Sequence, residues 1–283
     1  MTFKLVIFFL FSWVNLSFAQ EIQIRMKTKS YFDAPVIGKV NLYQTTVLAK
    51  NQKNTYETAN IEKRFFGFLA GLFSDINDTT GHLITDDGRQ WEYNINEREY
   101  WIYTDDDETL KPDDEKESKK ISFTVGNENS EILSISRISS ERIDDIHGFK
   151  AKKYTTTFET SENKIEIDEW AVKELSLLKV ADTLNKNLLL SLGIPDSIIF
   201  ASTYGAGLSN NEMVLGSSEL DSLMLVFNIT PIKGEIIKGD VRLRGKINDD
   251  SDVSFGTEIV ELYAEDFDPR TFSFDKDYKK ISY

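Results

Sequence analysis

Alternation of apolar and polar side chains with a period of two runs through most of this chain, and it constrains the fold more than any other feature. Ile22, Ile24 and Met26 alternate with Gln23, Arg25 and Lys27. Successive strand side chains point to opposite faces, so this reads as a half-buried strand. Strand-like stretches return over 36–49, 52–58, 83–85, 90–95 and 99–104, then over 121–125, 131–138, 148–157, 164–170, 220–229, 235–246 and 253–263. Asp87-Gly88 sits between two of them and signals a hairpin. Only two segments change to helical spacing. Over 60–73, Ile61, Phe65, Phe68, Leu69 and Leu72 share a face, with Asn60 as a cap and Gly67 and Gly71 as weak points. Over 175–192, Leu177, Leu178, Val180, Ala181, Leu184, Leu188 and Leu192 form a broad stripe that Gly193 and Pro195 end. A regular strand–helix–strand rhythm is missing, which argues against a doubly wound sheet and for a mainly antiparallel β, or α+β, fold with two helices.

The first residues have a different character. Lys4 precedes an apolar run from Leu5 to Val14, and Ser17-Phe18-Ala19 follows. A basic start, an apolar middle and small residues at the cut mark a secretory leader, here 1–19. The run is too short for a transmembrane anchor, which needs roughly 20 apolar residues; a retained interfacial segment is the rival reading. With no cysteine in the chain, neither a lipidated N-terminus nor a disulfide is available, so an exported protein of this kind depends on its packed core. The expected location is periplasmic or extracellular. The body, 20–283, reads as a single β-rich domain in which the acidic tract 105–120 forms an internal loop or a subdomain boundary.

Charge and motif narrow the chemistry. The net charge is -14, which argues against a nucleic-acid partner, since phosphate backbones call for clustered Lys and Arg. His82 and His147 are the only histidines, and neither lies in a zinc-binding pattern. No cysteine nucleophile, Gly-x-Ser-x-Gly elbow or phosphate-binding glycine loop is present. Asp75, Asn77, Thr79, Gly81 and Asp86 fit a calcium loop poorly, because glycine falls one place late and Asp86 stands where glutamate is wanted. No cofactor and no metal are expected. The 47 acidic residues allow many carboxylate pairs, but spacing selects none.

Ile146-His147-Gly148-Phe149-Lys150-Ala151-Lys152-Lys153-Tyr154, followed by Ile165–Leu175 with its Trp170 and Glu174-Leu175, resembles a family of secreted Bacteroidota proteins related to the GLPGLI family and without assigned activity. The closing segment Asp268-Pro269-Arg270-Thr271-Phe272 with Tyr278 is similar to the same family, although Ala151 and Asp275 replace residues common in its members. The resemblance implies a curved antiparallel sheet or half-barrel with helices covering its concave side, similar to periplasmic lipoprotein carriers. Such a sheet could enclose an elongated apolar ligand between aromatic strands, through Trp91, Tyr93, Trp101 and Tyr103, and two helices, through Phe65, Phe68 and Leu72 on the first and Leu177, Leu184 and Leu188 on the second. The same side chains could equally fill a core. The expected function is binding of an apolar or amphipathic, lipid-like ligand without catalysis. The alternatives are a structural or adaptor protein that meets another envelope protein, and a carboxylate-dependent hydrolase.

Overall fold

The computed structural model describes residues 21–34, 38–61, 79–103, 132–161, 163–195, 226–245 and 253–282. Twelve strands form one sheet in the order β12-β6-β5-β4-β3-β2-β1-β11-β10-β9-β8-β7. Six come from the first half of the chain: β1 (Ile22–Ala34), β2 (Gly38–Ala49), β3 (Gln52–Ile61), β4 (Thr80–Ile84), β5 (Gln90–Asn94) and β6 (Glu99–Ile102). Five make a second meander: β7 (Ile132–Ile146), β8 (Phe149–Thr160), β9 (Asn163–Val172), β10 (Glu235–Gly245) and β11 (Val253–Asp266). The meanders meet where β1 pairs antiparallel with β11. The short β12 (Lys279–Lys280) adds to β6 in parallel.

Short-range signals account for the hairpins. Gly88 turns at φ 80° between β4 and β5, and His147 and Gly148, both at positive φ, turn β7 into β8. Residues in the left-handed region match the right-handed twist of the strands that such a turn joins. One α-helix lies among the described residues, α1 (Ser176–Ser191). It ends in a Schellman motif, with Gly193 at φ 85° and its N–H donating to Leu190, and Ile194 donating to Leu189.

Two features of the expected fold are corrected. The sheet is open rather than a half-barrel: β12 and β7 stand at its two ends. β12 is only two residues long, and register shifts interrupt the pairing of β7 with β8 at 132/134 and 139/143. The described residues also contain one covering helix, not two. Asn60 and Ile61, read as the start of the first helix, belong to β3, where they pair with Asn41 and Val40. The rest of that segment, with Phe65, Phe68 and Leu72, lies outside the described residues, as does the tract 105–120. Similarly, the described end of 220–229 is a turn, and its Phe227 and Ile229 pack onto the sheet.

Three apolar clusters hold these layers. Leu178 and Ala181 of α1 bury against Ile24, Met26, Leu48, Ile237 and Ile259. Ile135, Phe158, Ile165, Ile167, Val241 and Phe255 form a second cluster, against which Phe227 and Ile229 pack. The third joins Val47, Leu83, Trp91 and Tyr93 to Phe272, which lies in a 3-10 turn (Pro269–Phe272), and to Phe267, Phe274 and Tyr278. Leu48 meets α1 and Val47 meets the C-terminal segment, so β2 is covered on both faces and residues 45–49 are all buried.

Candidate functional site

Strand pairing brings a mixed aromatic and polar floor together on one face of β3 to β6, beside the C-terminal half of α1. Directly paired residues share a face. One row therefore runs Lys53, Ile84, Gln90, continued by Tyr103, whose N–H donates to the Gln90 carbonyl at 3.0 Å. The next row runs Thr55, His82, Glu92, Trp101. All of them except Ile84 are half-buried. The Trp101 indole N–H donates to Glu92 Oε2 at 2.8 Å. His82 and Tyr103 meet edge to face, with centroids 5.7 Å apart. Lys53 Nζ donates to Asn185 Oδ1 on α1 at 3.4 Å, which ties the floor to the helix.

The electrostatics follow from this packing. Burial lowers the Lys53 ammonium below the ordinary lysine range. His82 is lowered first by burial and then by the charge of Lys53, against the opposing pull of Glu92 and a hydrogen bond with Gln90. A neutral imidazole carries one donor and one acceptor nitrogen. The floor therefore presents aromatic rings together with an ammonium, an imidazole, an amide and a carboxylate. That set can stack against a ligand's apolar body and hydrogen-bond its polar groups.

The expected site residues separate. Trp101 and Tyr103 lie on the floor. Trp91 and Tyr93 point the opposite way with Tyr100 and pack against Phe274, whose ring stacks on Tyr100 at 4.2 Å. The Tyr93 ring fills the space over Gly81, its paired residue, where an added Cβ would lie 2.1 Å from the ring. Its hydroxyl donates to Asn54 Oδ1 at 2.6 Å, and Asn54 Nδ2 donates to the Thr271 carbonyl at 2.7 Å. Leu188 is buried under α1, while Leu177 and Leu184 are half-buried along it. Lys53, His82, Gln90, Glu92 and Asn185 were not singled out from sequence as site residues. The available signal was the Asp87-Gly88 turn: counting outward from it sets Leu83 opposite Trp91 and hence His82 opposite Glu92.

A second polar constellation spans β8 to β11 and β1. Asp168 accepts from Thr155 Oγ1 at 2.5 Å, from Lys153 Nζ at 2.8 Å and from Arg242. Arg242 also pairs with Glu166. Asp240 meets the Tyr31 hydroxyl at 3.0 Å and Lys238 at 3.5 Å; Glu258 lies 3.4 Å from both Lys238 and His147. Trp170 has Lys153 and Lys238 each 5.0 Å from its ring and donates to Asp144 at 2.8 Å. Burial raises the Asp240 carboxyl, with Lys238 and Tyr31 opposing it. Each carboxylate of this lattice engages a cation, and the lattice binds hairpin β7–β8 to the centre of the sheet. Among the described residues no group of three or more His, Asp or Glu side chains is placed to hold a metal ion, and no helix is long and apolar enough to cross a membrane.

No family model matches the chain. No curated protein matches it. Among solved structures, it is similar to a LolA superfamily protein from Nitrosomonas europaea, with 8% identity, 93% of each chain covered and a TM-score of 0.24. It is also similar to a domain described as an outer membrane lipoprotein-sorting protein from Vibrio parahaemolyticus, with 5% identity, 86% of this chain and 85% of that one covered, and a TM-score of 0.21. Scores at this level carry neither fold nor function from one chain to another.

Proposed function

We propose that this is an exported binding protein of the periplasm or the cell exterior, that it performs no catalysis, and that its ligand is apolar or amphipathic. The observation that carries the reading is the floor itself. Trp101, Tyr103 and His82 share one sheet face with Lys53, Gln90 and Glu92, next to a helix whose Leu177 and Leu184 are only half-buried. Apolar walls with a few fixed polar groups are the usual composition of a small-molecule site. In this reading the helix flank takes the apolar part of the ligand and the floor takes its polar end. Native mass spectrometry of protein purified from its own compartment, with extraction of bound material, tests this. An amphiphile released in stoichiometric amount supports the proposal; folded protein that arrives empty and takes up none of a panel of long-chain amphiphiles removes it.

A second reading, an adaptor of the cell envelope, is favoured by β7. This end strand exposes Leu133, Ile138 and Ile143, and an end strand can pair with a strand of a partner. The same mass measurement separates the two readings, because the adaptor would arrive with a protein in place of a small molecule.

A further inference from the structure

One carboxylate on the helix is poorly accommodated where it stands. Asp182 follows Ala181, a buried member of the α1 stripe. Its Oδ1 atom is buried and accepts no hydrogen bond. A buried, unsatisfied acceptor is costly, and more so when it is charged. The strand facing it adds Glu235, the first residue of β10. Glu235 is held there by Gly234, which turns at φ 112° with the Val172 carbonyl 2.1 Å from where a Cβ would sit, so that turn admits only glycine. On the helix, Lys179 and Lys186 are one turn away on either side. Lys179 serves Glu174 at 3.7 Å and Glu235 at 4.0 Å, and Lys186 has interactions of its own. Beneath the helix, β1, β2 and β11 supply the uncharged Ile24, Leu48 and Ile259, and Lys53 of β3 meets Asn185.

We propose that Asp182 and Glu235 make the docking of α1 on the sheet acid-strengthened, so that the helix is held more firmly in mildly acidic surroundings and opens more readily at neutral pH. The direction follows from linkage. Burial, then the charge of Glu235, pushes the Asp182 carboxyl from 3.8 up to about 6. A group whose folded value exceeds its unfolded value contributes stability that is fully present below about pH 4 and is lost as pH rises through about 6. Asparagine at this position would keep the shape and never ionise. Because α1 borders the aromatic floor through Asn185, the same step would regulate access to it; that consequence rests on the binding role proposed above, whereas the docking step itself does not.

Hydrogen exchange of the α1 amides, corrected for intrinsic rates and measured without added ligand, tests the proposal. Protection of the wild-type helix should fall about two- to threefold between pH 5 and pH 7.5, reduced for the partial exposure of the group from the roughly tenfold that the full shift gives over that range. Asp182→Asn should hide most of that fall, and Glu235→Gln part of it. Equal falls in wild type and Asp182→Asn would overturn it. Carbon-detected titration of the Asp182 carboxyl in the wild-type protein needs no variant: a midpoint near 6 is expected, and one near 4 would overturn the proposal. Neither readout depends on whether the floor binds a ligand, so failure here and failure of the binding role are told apart.

Discussion

The two faces of β3 to β6 are built from neighbouring residues and have opposite characters. On one, Trp91, Tyr93 and Tyr100 meet Phe272, Phe274 and Tyr278 from the C-terminal segment and form a closed core. On the other, Trp101 and Tyr103 lie half-buried among Lys53, His82, Gln90 and Glu92. The aromatic residues are of the same kinds on both faces; what covers them differs. Among the described residues, one face has a dedicated apolar cover from the C-terminal segment, whereas the other has the edge of a helix and a set of hydrogen-bonding groups. Aromatic side chains alone therefore do not mark a site.

Substitutions should separate the two faces, and the largest effect belongs to the closed one. Trp91→Ala should cost about 3–5 kcal/mol by emptying a packed volume, read as a drop in urea midpoint, with any ligand lost only because the fold is lost. Gly81→Ala should cost about 1–3 kcal/mol. Its methyl group needs the space of the Tyr93 ring, and the bond to Asn54 keeps that ring from moving aside; a crystal structure of the variant should show the Tyr93–Asn54 bond broken. Asp182→Asn should stabilise the protein by on the order of 1 kcal/mol at pH 7.5 after solvent screening and by nothing measurable near pH 4, as read from paired denaturation curves. On the floor, Trp101→Ala should change stability by less than about 1 kcal/mol while abolishing the ligand uptake proposed above.

His82 offers a test of opposite sign. Its imidazole is held below the ordinary value by burial and by Lys53. A base lowered in the folded state contributes stability present above the unfolded value of about 6.5 and lost as pH falls below it. Acidification should therefore loosen β4 around His82 while it tightens α1, and His82→Gln should remove the first effect without touching the second. Exchange rates resolved by segment would show both.

Much of this architecture was legible in the sequence. Period-two alternation located most strands, Asp87-Gly88 located the β4–β5 hairpin, and the stripe ending at Gly193 located α1 almost to the residue. The division of the aromatic cluster was not legible. It depends on the turn 95–98, where Arg98 takes φ 56° and Tyr93 pairs with Tyr100. One residue fewer in that turn would set Trp101 opposite Tyr93, on the closed face. The cover over Trp91 was equally hidden, because Phe274 reaches it from the far end of the chain. Asn60 and Ile61 misled because the apolar spacing that follows them continues back into the end of β3.

The most direct test of the central claim compares bound material in the wild-type protein and in Trp101→Ala/Tyr103→Ala, both recovered from the native compartment with matching thermal midpoints. The binding reading predicts one extractable amphiphile per wild-type chain and none in the folded variant. Equal amounts in both, or none in either, would contradict it.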